Sequence, residues 1–189
     1  MFRPRSTSRG TSMIEVLVTL VIIAFGLLGM AGLQMRLQMS EMESYQRSQA
    51  LLLLSDMANR MSVNRTATVA GSYLVAPAAP LGAGMACPAL GGTPTQAQRD
   101  LNEWCNALQG AAETNSGGAN AGAMVGGRGC VQRIGSDYLI TVAWQGLTPI
   151  SAPAAAVTCG ANNYDAAGSA CVNDLCRRVV TTLVRIATL

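Results

Sequence analysis

Two features of this chain could carry chemistry: a set of cysteines and one carboxylate at the start of an apolar run. The six cysteines are Cys87, Cys105, Cys130, Cys159, Cys171 and Cys176. An even number of scattered cysteines without histidine partners reads as up to three disulfides, for which 15 pairings exist. Disulfides persist mainly in oxidising compartments, which places the part of the chain from Cys87 to Cys176 outside the cytoplasm. The rival is a four-cysteine zinc centre. It needs paired short spacings such as C-x2-C, and the nearest pair, Cys171 and Cys176, has four residues between. The carboxylate is Glu15. Within a membrane-spanning helix such a group costs roughly 2.5–3.5 kcal/mol near the midplane and less at an interface, so it usually has a function and a partner. The next basic residue is Arg36, too far along a helix to reach it. A plainer role for Glu15 is to sit at the headgroup boundary and favour the helix N-terminus.

Absent residue types exclude much else. There is no histidine, hence no His base, no Ser-His or Cys-His pair and no His metal ligand. All 13 basic residues are arginine, which removes the P-loop lysine and Schiff-base chemistry. Acidic residues occur singly, and no base is evident to activate a cysteine. The expectation is a protein that is not an enzyme, with no cofactor, metal or catalytic residue. Half of the 189 residues are apolar but only 4% aromatic, and 12% are charged. The charged share is about half of that usual in soluble domains, near 25%. This balance points to a membrane-associated chain.

The elements that must position these residues begin with the N-terminus. Met1 to Gly10 is short and basic, with Arg3, Arg5 and Arg9. Val16 to Leu33 then runs for 18 residues without a charge, with Thr19 its single polar side chain. At about 1.5 Å per residue, Met13 to Leu33 spans roughly 30 Å, enough to cross a bilayer. Positive charge ahead of the span keeps the N-terminus in the cytoplasm. The run is longer than a cleavable secretory signal, and the polar residues behind it continue a helical pattern. Met35, Met39, Met42, Tyr45 or Gln46, Leu53 or Leu54, Met57 and Met61 recur at spacings of mostly three and four. One helix is therefore predicted from about Ser12 to Met61. Its first half is apolar all round, and its second half packs a methionine-rich stripe on a domain. Glu43 and Arg47 are placed for an exposed ion pair.

Beyond the helix, Ala70 to Pro94 reads as loop. Thr95 and Gln98 form a capping box for a short helix carrying Leu101, Trp104, Cys105 and Leu108 on one face and ending at Gly110. Cys87 lies just before that helix, so it is expected to pair with Cys105. Ala111 to Gly129 and Ile150 to Gly168 are loops. Val131 to Ile134 and Tyr138 to Trp144 flank a turn as a β-hairpin, with Tyr138, Ile140, Val142 and Trp144 on the face towards the helix. Arg178 to Leu189 is the last strand, tethered by Cys171 and Cys176.

Gly10-Thr11-Ser12-Met13-Ile14-Glu15-Val16-Leu17-Val18, behind a basic leader and ahead of a hydrophobic run, resembles the class III signal of type IV prepilins and pseudopilins. The resemblance implies that a prepilin peptidase cuts between Gly10 and Thr11 and methylates the new amine of Thr11, where many members carry Phe. It makes Glu15 the family's assembly glutamate. Removing Arg3, Arg5 and Arg9 leaves 10 basic residues against 10 acidic. Many pilins carry a proline in the helix; this chain has Gly26, Gly29 and Gly32 instead. The hairpin and the strand from Arg177-Arg178-Val179-Val180 are similar to the PilV-like minor pilins, the type IV pilus modification proteins. The fold class implied is α+β: a pilin fold, with a long N-terminal α-helix, transmembrane in its first half, packed on a small antiparallel β-sheet with disulfide-stapled loops. The implied divisions are a leader (1–10), a transmembrane and filament-core helix (11–34), its amphipathic continuation (35–62) and a globular head (63–189).

The function implied is structural: a minor pilin inserted in the inner membrane, priming assembly and entering the fibre near its tip. Its partners would be other minor pilins, the major pilin, the prepilin peptidase, the inner-membrane assembly platform and, before assembly, membrane lipid. A minor pseudopilin of a type II secretion system shares the same signal and helix. A tip adhesin or DNA-uptake pilin is a third reading. Arg128, Arg133, Arg177, Arg178 and Arg185 are its basic candidates, but a balanced mature charge argues against nucleic acid.

Overall fold

A computed structural model describes residues 12–111, 116–117, 122 and 124–186. The element order is α1 (Met13–Val63), α2 (Arg65–Val69), β1 (Leu81–Gly82), α3 (Gln96–Leu108), β2 (Arg128–Ile134), β3 (Asp137–Gln145) and β4 (Arg177–Arg185). The chain divides into two units at Glu41 and Met42. The first is helix alone from Met13. The second holds the rest of α1, the other helices and the sheet.

The sheet is antiparallel throughout, in the order β1-β2-β3-β4. Its centre is the expected hairpin, closed by the two-residue turn Gly135-Ser136, with Gly135 at φ +62° where a side chain would be strained. Period-two alternation puts Tyr138, Ile140, Val142 and Trp144 on the core face, and all four are buried. Across from them α1 presents Gln46, Ala50, Leu54, Met57 and Met61, spaced four, four, three and four apart and so on one stripe. Trp104 of α3 fills the remaining space, fully buried, and its indole N–H donates to the Leu53 carbonyl at 2.9 Å. Gly129 makes room for that ring: a Cβ there would lie 2.2 Å from it. The capping box stands as expected, with Gln98 N–H donating to Thr95 Oγ1 at 3.3 Å and Thr95 N–H to Gln98 Oε1 at 2.8 Å. This is an α+β, pilin-like fold.

Three disulfides join Cys87 to Cys105, Cys130 to Cys159 and Cys171 to Cys176. The first ties the loop before α3 to α3 itself. The second fastens the long connection after β3 onto β2. The third closes a short turn just before β4.

Three expectations need correction. Met35, Met39 and Met42 are exposed, because the packed stripe begins only at Gln46. Glu43 pairs with Arg178 at 3.2 Å rather than with Arg47, since the start of β4 brings a cation that is already held in place by backbone carbonyls. The segment from Ala70 to Pro94 is not loop throughout. It contains β1, and Val75 bridges to Val131, so this chain stretch completes the sheet beside β2.

Polar groups lock the helices together where aromatic area is scarce. Asp100, buried on α3, accepts from the Tyr73 hydroxyl, from Gln96 Nε2 at 2.9 Å and from Arg60 Nη1 at 3.0 Å. Arg60, in the last turn of α1, also binds Asp56 and Glu103. Burial alone would raise the Asp100 carboxyl, but the bonds from Tyr73, Gln96 and Arg60 outweigh it and hold the pKa below its ordinary value. Burial, and then the bond to Asp100, pushes the Tyr73 hydroxyl up to about 12. Burial raises Tyr164 as well, and the bond from Arg185 lowers Asp137.

A depressed carboxyl stabilises the fold above its unfolded value and loses that contribution as pH falls. A raised phenol stabilises below its unfolded value and loses that contribution as pH rises through its folded one. Stability should therefore decline below about pH 4 and again as pH rises from 10 towards about 12. Denaturant midpoints of the full chain across pH check this. Asp100→Asn should reduce the acid limb and cost about 1–3 kcal/mol at neutral pH. Tyr73→Phe should shrink the alkaline limb to the part due to Tyr164. Profiles identical to wild type for both variants would contradict the assignment.

Candidate assembly and membrane surface

The surface that could act is the first unit. Every large apolar side chain from Met13 to Leu37 is exposed, and the apolar window of α1 has mean hydropathy 2.6 with none of it buried against the chain. One helix is thus long and apolar enough to cross a membrane. An α-helix suits lipid because its backbone bonds are satisfied within the segment. The single polar side chain of the run is also satisfied locally, Thr19 Oγ1 donating to the Val16 carbonyl at 2.8 Å. Gly26, Gly29 and Gly32 each face open space, so none of the described residues packs closely on them.

Glu15 lies in the first turn of α1, where its own N–H donates to the Ser12 carbonyl at 2.9 Å. Its side chain is exposed and makes no hydrogen bond or ion pair among the described residues. The first-turn position suits a carboxylate, since the exposed N–H groups there carry partial positive charge. Gly10 and Thr11, the predicted processing residues, lie outside the described residues.

The second unit offers little free chemistry. Each arginine considered for nucleic acid has an intramolecular partner. Arg128 lies over the Tyr164 ring at 4.9 Å and Arg133 over Tyr138 at 5.8 Å. Arg177 is buried, donating to the Val157 carbonyl at 2.7 Å and the Cys159 carbonyl at 3.1 Å and pairing with Asp174. Arg185 holds Asp137 through two bonds. Arg178 is the most elaborately held. It donates to the carbonyls of Leu175 and Thr148 and to Glu43, whose Oε1 also accepts from the Leu147 N–H at 3.3 Å. Gly146 permits this, since a Cβ there would meet the guanidinium at 2.6 Å.

All the cysteines are paired, so none remains for a four-cysteine zinc centre, and no group of three metal-ligating side chains gathers among the described residues. A shallow depression of 440 Å³ is lined by Pro77, Ala78, Thr158, Ala161 and Asn163, none of them titratable. The residues that sequence reading missed, Ala50 on the core stripe and the Glu43–Arg178 pair, serve packing, whereas Gln46, one of the two stripe candidates at that turn, is buried as expected. Only the four-residue spacing of 46, 50 and 54 pointed to Ala50.

Compared with protein-family models, with curated proteins and with solved structures, the chain matches none.

If the first unit anchors the chain, charge placed in it should release the chain. Ile22→Arg combined with Phe25→Arg costs roughly 2.5–3.5 kcal/mol per arginine at the bilayer centre. Most of the double variant should leave the membrane pellet in an alkaline carbonate wash that wild type resists. Ile134→Arg, on an exposed position of β2, is the control and should stay bound. Full retention of the double variant would show that another segment anchors the chain.

Proposed function

We propose that this chain is a minor pilin of a type IV pilus, similar to the PilV-like modification proteins, held in the inner membrane by the first half of α1 and then drawn into the fibre. Supporting this reading are the prepilin-like residues Gly10 to Val18, a pilin-like fold, and a helix whose apolar surface has no cover among the described residues. The observation that carries it is Glu15: an exposed carboxylate, without a partner among the described residues, in the first turn of a helix that is otherwise apolar there.

In this reading residues 1–10 are the leader, 11–34 the membrane and filament-core segment, 35–62 its continuation and 63–189 the head. Cleavage after Gly10 creates an α-amino cation on Thr11, which is then methylated. In a fibre that amine meets Glu15 of a neighbouring subunit. At about 4 Å and an effective dielectric near 20, the attraction is roughly 4 kcal/mol before desolvation. A lone carboxylate in an apolar bundle is unfavourable and a paired one tolerable, so the pair sets the axial register of neighbouring helices. The subunit's partners are other minor pilins and the major pilin, with the prepilin peptidase and the inner-membrane assembly platform acting before it leaves the bilayer. Its role is structural and involves no catalysis.

Mass spectrometry of the chain recovered from cells tests the processing step. The expected species begins with N-methylthreonine at Thr11; an intact Met1, or a cut near Gln34, would refute it. Glu15→Ala should insert in the membrane as wild type does and be lost from sheared fibres by tenfold or more, on the scale of about 1.4 kcal/mol per decade. Undiminished recovery in fibres would remove the pairing role.

A further inference from the structure

Among the described residues, three non-glycine residues have a backbone of positive φ, where an L side chain is strained: Asn162 at +59°, Asn173 at +54° and Asp174 at +60°. All three meet in one place. Asn173 and Asp174 are consecutive within the turn closed by Cys171 and Cys176, and the Asn162 N–H donates to Asp174 Oδ1 at 2.8 Å. Asp174 is held on two further sides. Its own N–H donates to Asp165 Oδ1 at 2.9 Å, and its Oδ2 pairs with Arg177 at 3.1 Å.

The same turn ties separate stretches together. The Cys176 carbonyl accepts from the Gly146 N–H at 2.7 Å, and the Cys171 carbonyl from the Ala166 N–H at 2.8 Å. The Leu175 carbonyl accepts from the Ile150 N–H at 2.9 Å and from Arg178 Nη1 at 3.1 Å. Arg178 reaches on to Glu43 of α1, whose carboxylate also takes the Leu147 N–H. One small covalent loop thus seats the cation that joins the start of β4 to α1.

The three bridges differ in what they would release. Cys130 and Cys159 are both fully buried. Cys87 is half-buried, but none of the residues enclosed between it and Cys105 has positive φ. Cys171 is half-buried ahead of exposed Val172 and Asn173, and opening its bridge lets two strained residues relax. Strained or accessible disulfides are the labile ones. The bridges close sequence separations of 5, 18 and 29 residues, and a smaller loop contributes less to stability. By the chain-entropy relation, cutting the smallest costs the folding equilibrium about sevenfold less than cutting Cys87–Cys105 and about fourteenfold less than cutting Cys130–Cys159.

We infer that the Cys171–Cys176 bridge is a redox-sensitive clasp: a dithiol reductant opens it ahead of the other two bridges, which frees the turn and the Glu43–Arg178 tie while the rest of the head stays folded. Only the second unit is involved, so the clasp stands apart from the fibre reading. A thiolate of the reductant attacks Cys171 Sγ, and Cys176 leaves as a thiolate and takes up a proton. The second thiol of the reductant then displaces Cys171. Two electrons and two protons pass to the chain, and the reductant departs as its own disulfide.

The full chain in detergent micelles, treated with graded dithiothreitol, alkylated and mapped by mass spectrometry, tests the order of opening. Cys171 and Cys176 should be labelled at about tenfold less reductant than any other cysteine. Amide exchange in the chain opened at this bridge alone should quicken about tenfold or more at Gly146, Ile150 and Asn162, with α3 and the β2–β3 ladder unchanged. The Leu147 amide distinguishes a clasp from a plain staple. Glu43→Gln should hasten its exchange in the closed chain and add nothing in the opened one. Cys171→Ser combined with Cys176→Ser gives a permanently open chain; should it fail to fold, wild type reduced and alkylated at this bridge alone takes its place. Earlier opening of another bridge, or opening of all three together, would overturn the inference. So would exchange that quickens throughout the head, that stays unaltered at Gly146 and Ile150, or that still responds to Glu43→Gln at Leu147 in the opened chain.

Discussion

A helix that carries no charge from Val16 to Leu33 and is apolar on every side there is ill suited to water, and this constraint governs the rest of the molecule. From Met13 to Leu37 α1 presents exposed large hydrophobic side chains in all directions, uncovered by any of the described residues. From Gln46 onward the same helix narrows to one stripe and becomes a component of an ordinary core. A single secondary-structure element thus has two solvents. Lipid, or a bundle of similar helices, suits the first part, and the four-stranded sheet suits the second. A carboxylate at Glu15 is tolerable in the first environment only near its boundary or beside a cation.

The second unit compensates for a composition poor in aromatics. Two tryptophans and a few tyrosines fill the space between sheet and helices, and fully buried Trp104 is the largest contributor. Polar bonds do the remaining joining. The indole of Trp104 and the Arg60–Asp100–Tyr73 set both tie α3 to the end of α1 or to the chain just after it. Arginines that might have formed an outward basic face instead hold loops, rings and carboxylates in place. Lacking lysine, the chain uses its cations as multidentate structural ties, a role the planar guanidinium fills well.

Local features of this fold were legible in the sequence. The capping box at Thr95, the hairpin about Gly135-Ser136 and the alternation from Tyr138 to Trp144 each depend on neighbours a few residues apart. The helix was legible for the same reason, as an uncharged apolar run from Val16 to Leu33 continued by spacings of three and four from Met35. What escaped was set by distant partners. Met35, Met39 and Met42 continue the same stripe as Met57 and Met61, and periodicity cannot tell where the covering sheet ends. Glu43 has Arg47 one turn away, yet its partner lies 135 residues on, where carbonyls have already fixed a guanidinium. β1 is too short to show a period at all. At Glu15 the sequence supplied the oddity of the residue, and the described residues add only that it lies exposed in the first turn of α1.

The order of the disulfides bears on how the head matures. Each cysteine is joined to the next one along the chain: first to second, third to fourth, fifth to sixth. No bridge encloses or crosses another. As the polypeptide is delivered from its N-terminus, every odd-numbered thiol has its mate as the next to emerge. An oxidant that couples thiols strictly by order of arrival therefore arrives at the native set with no reshuffling. Crossed bridges would instead require early thiols to wait or errors to be undone.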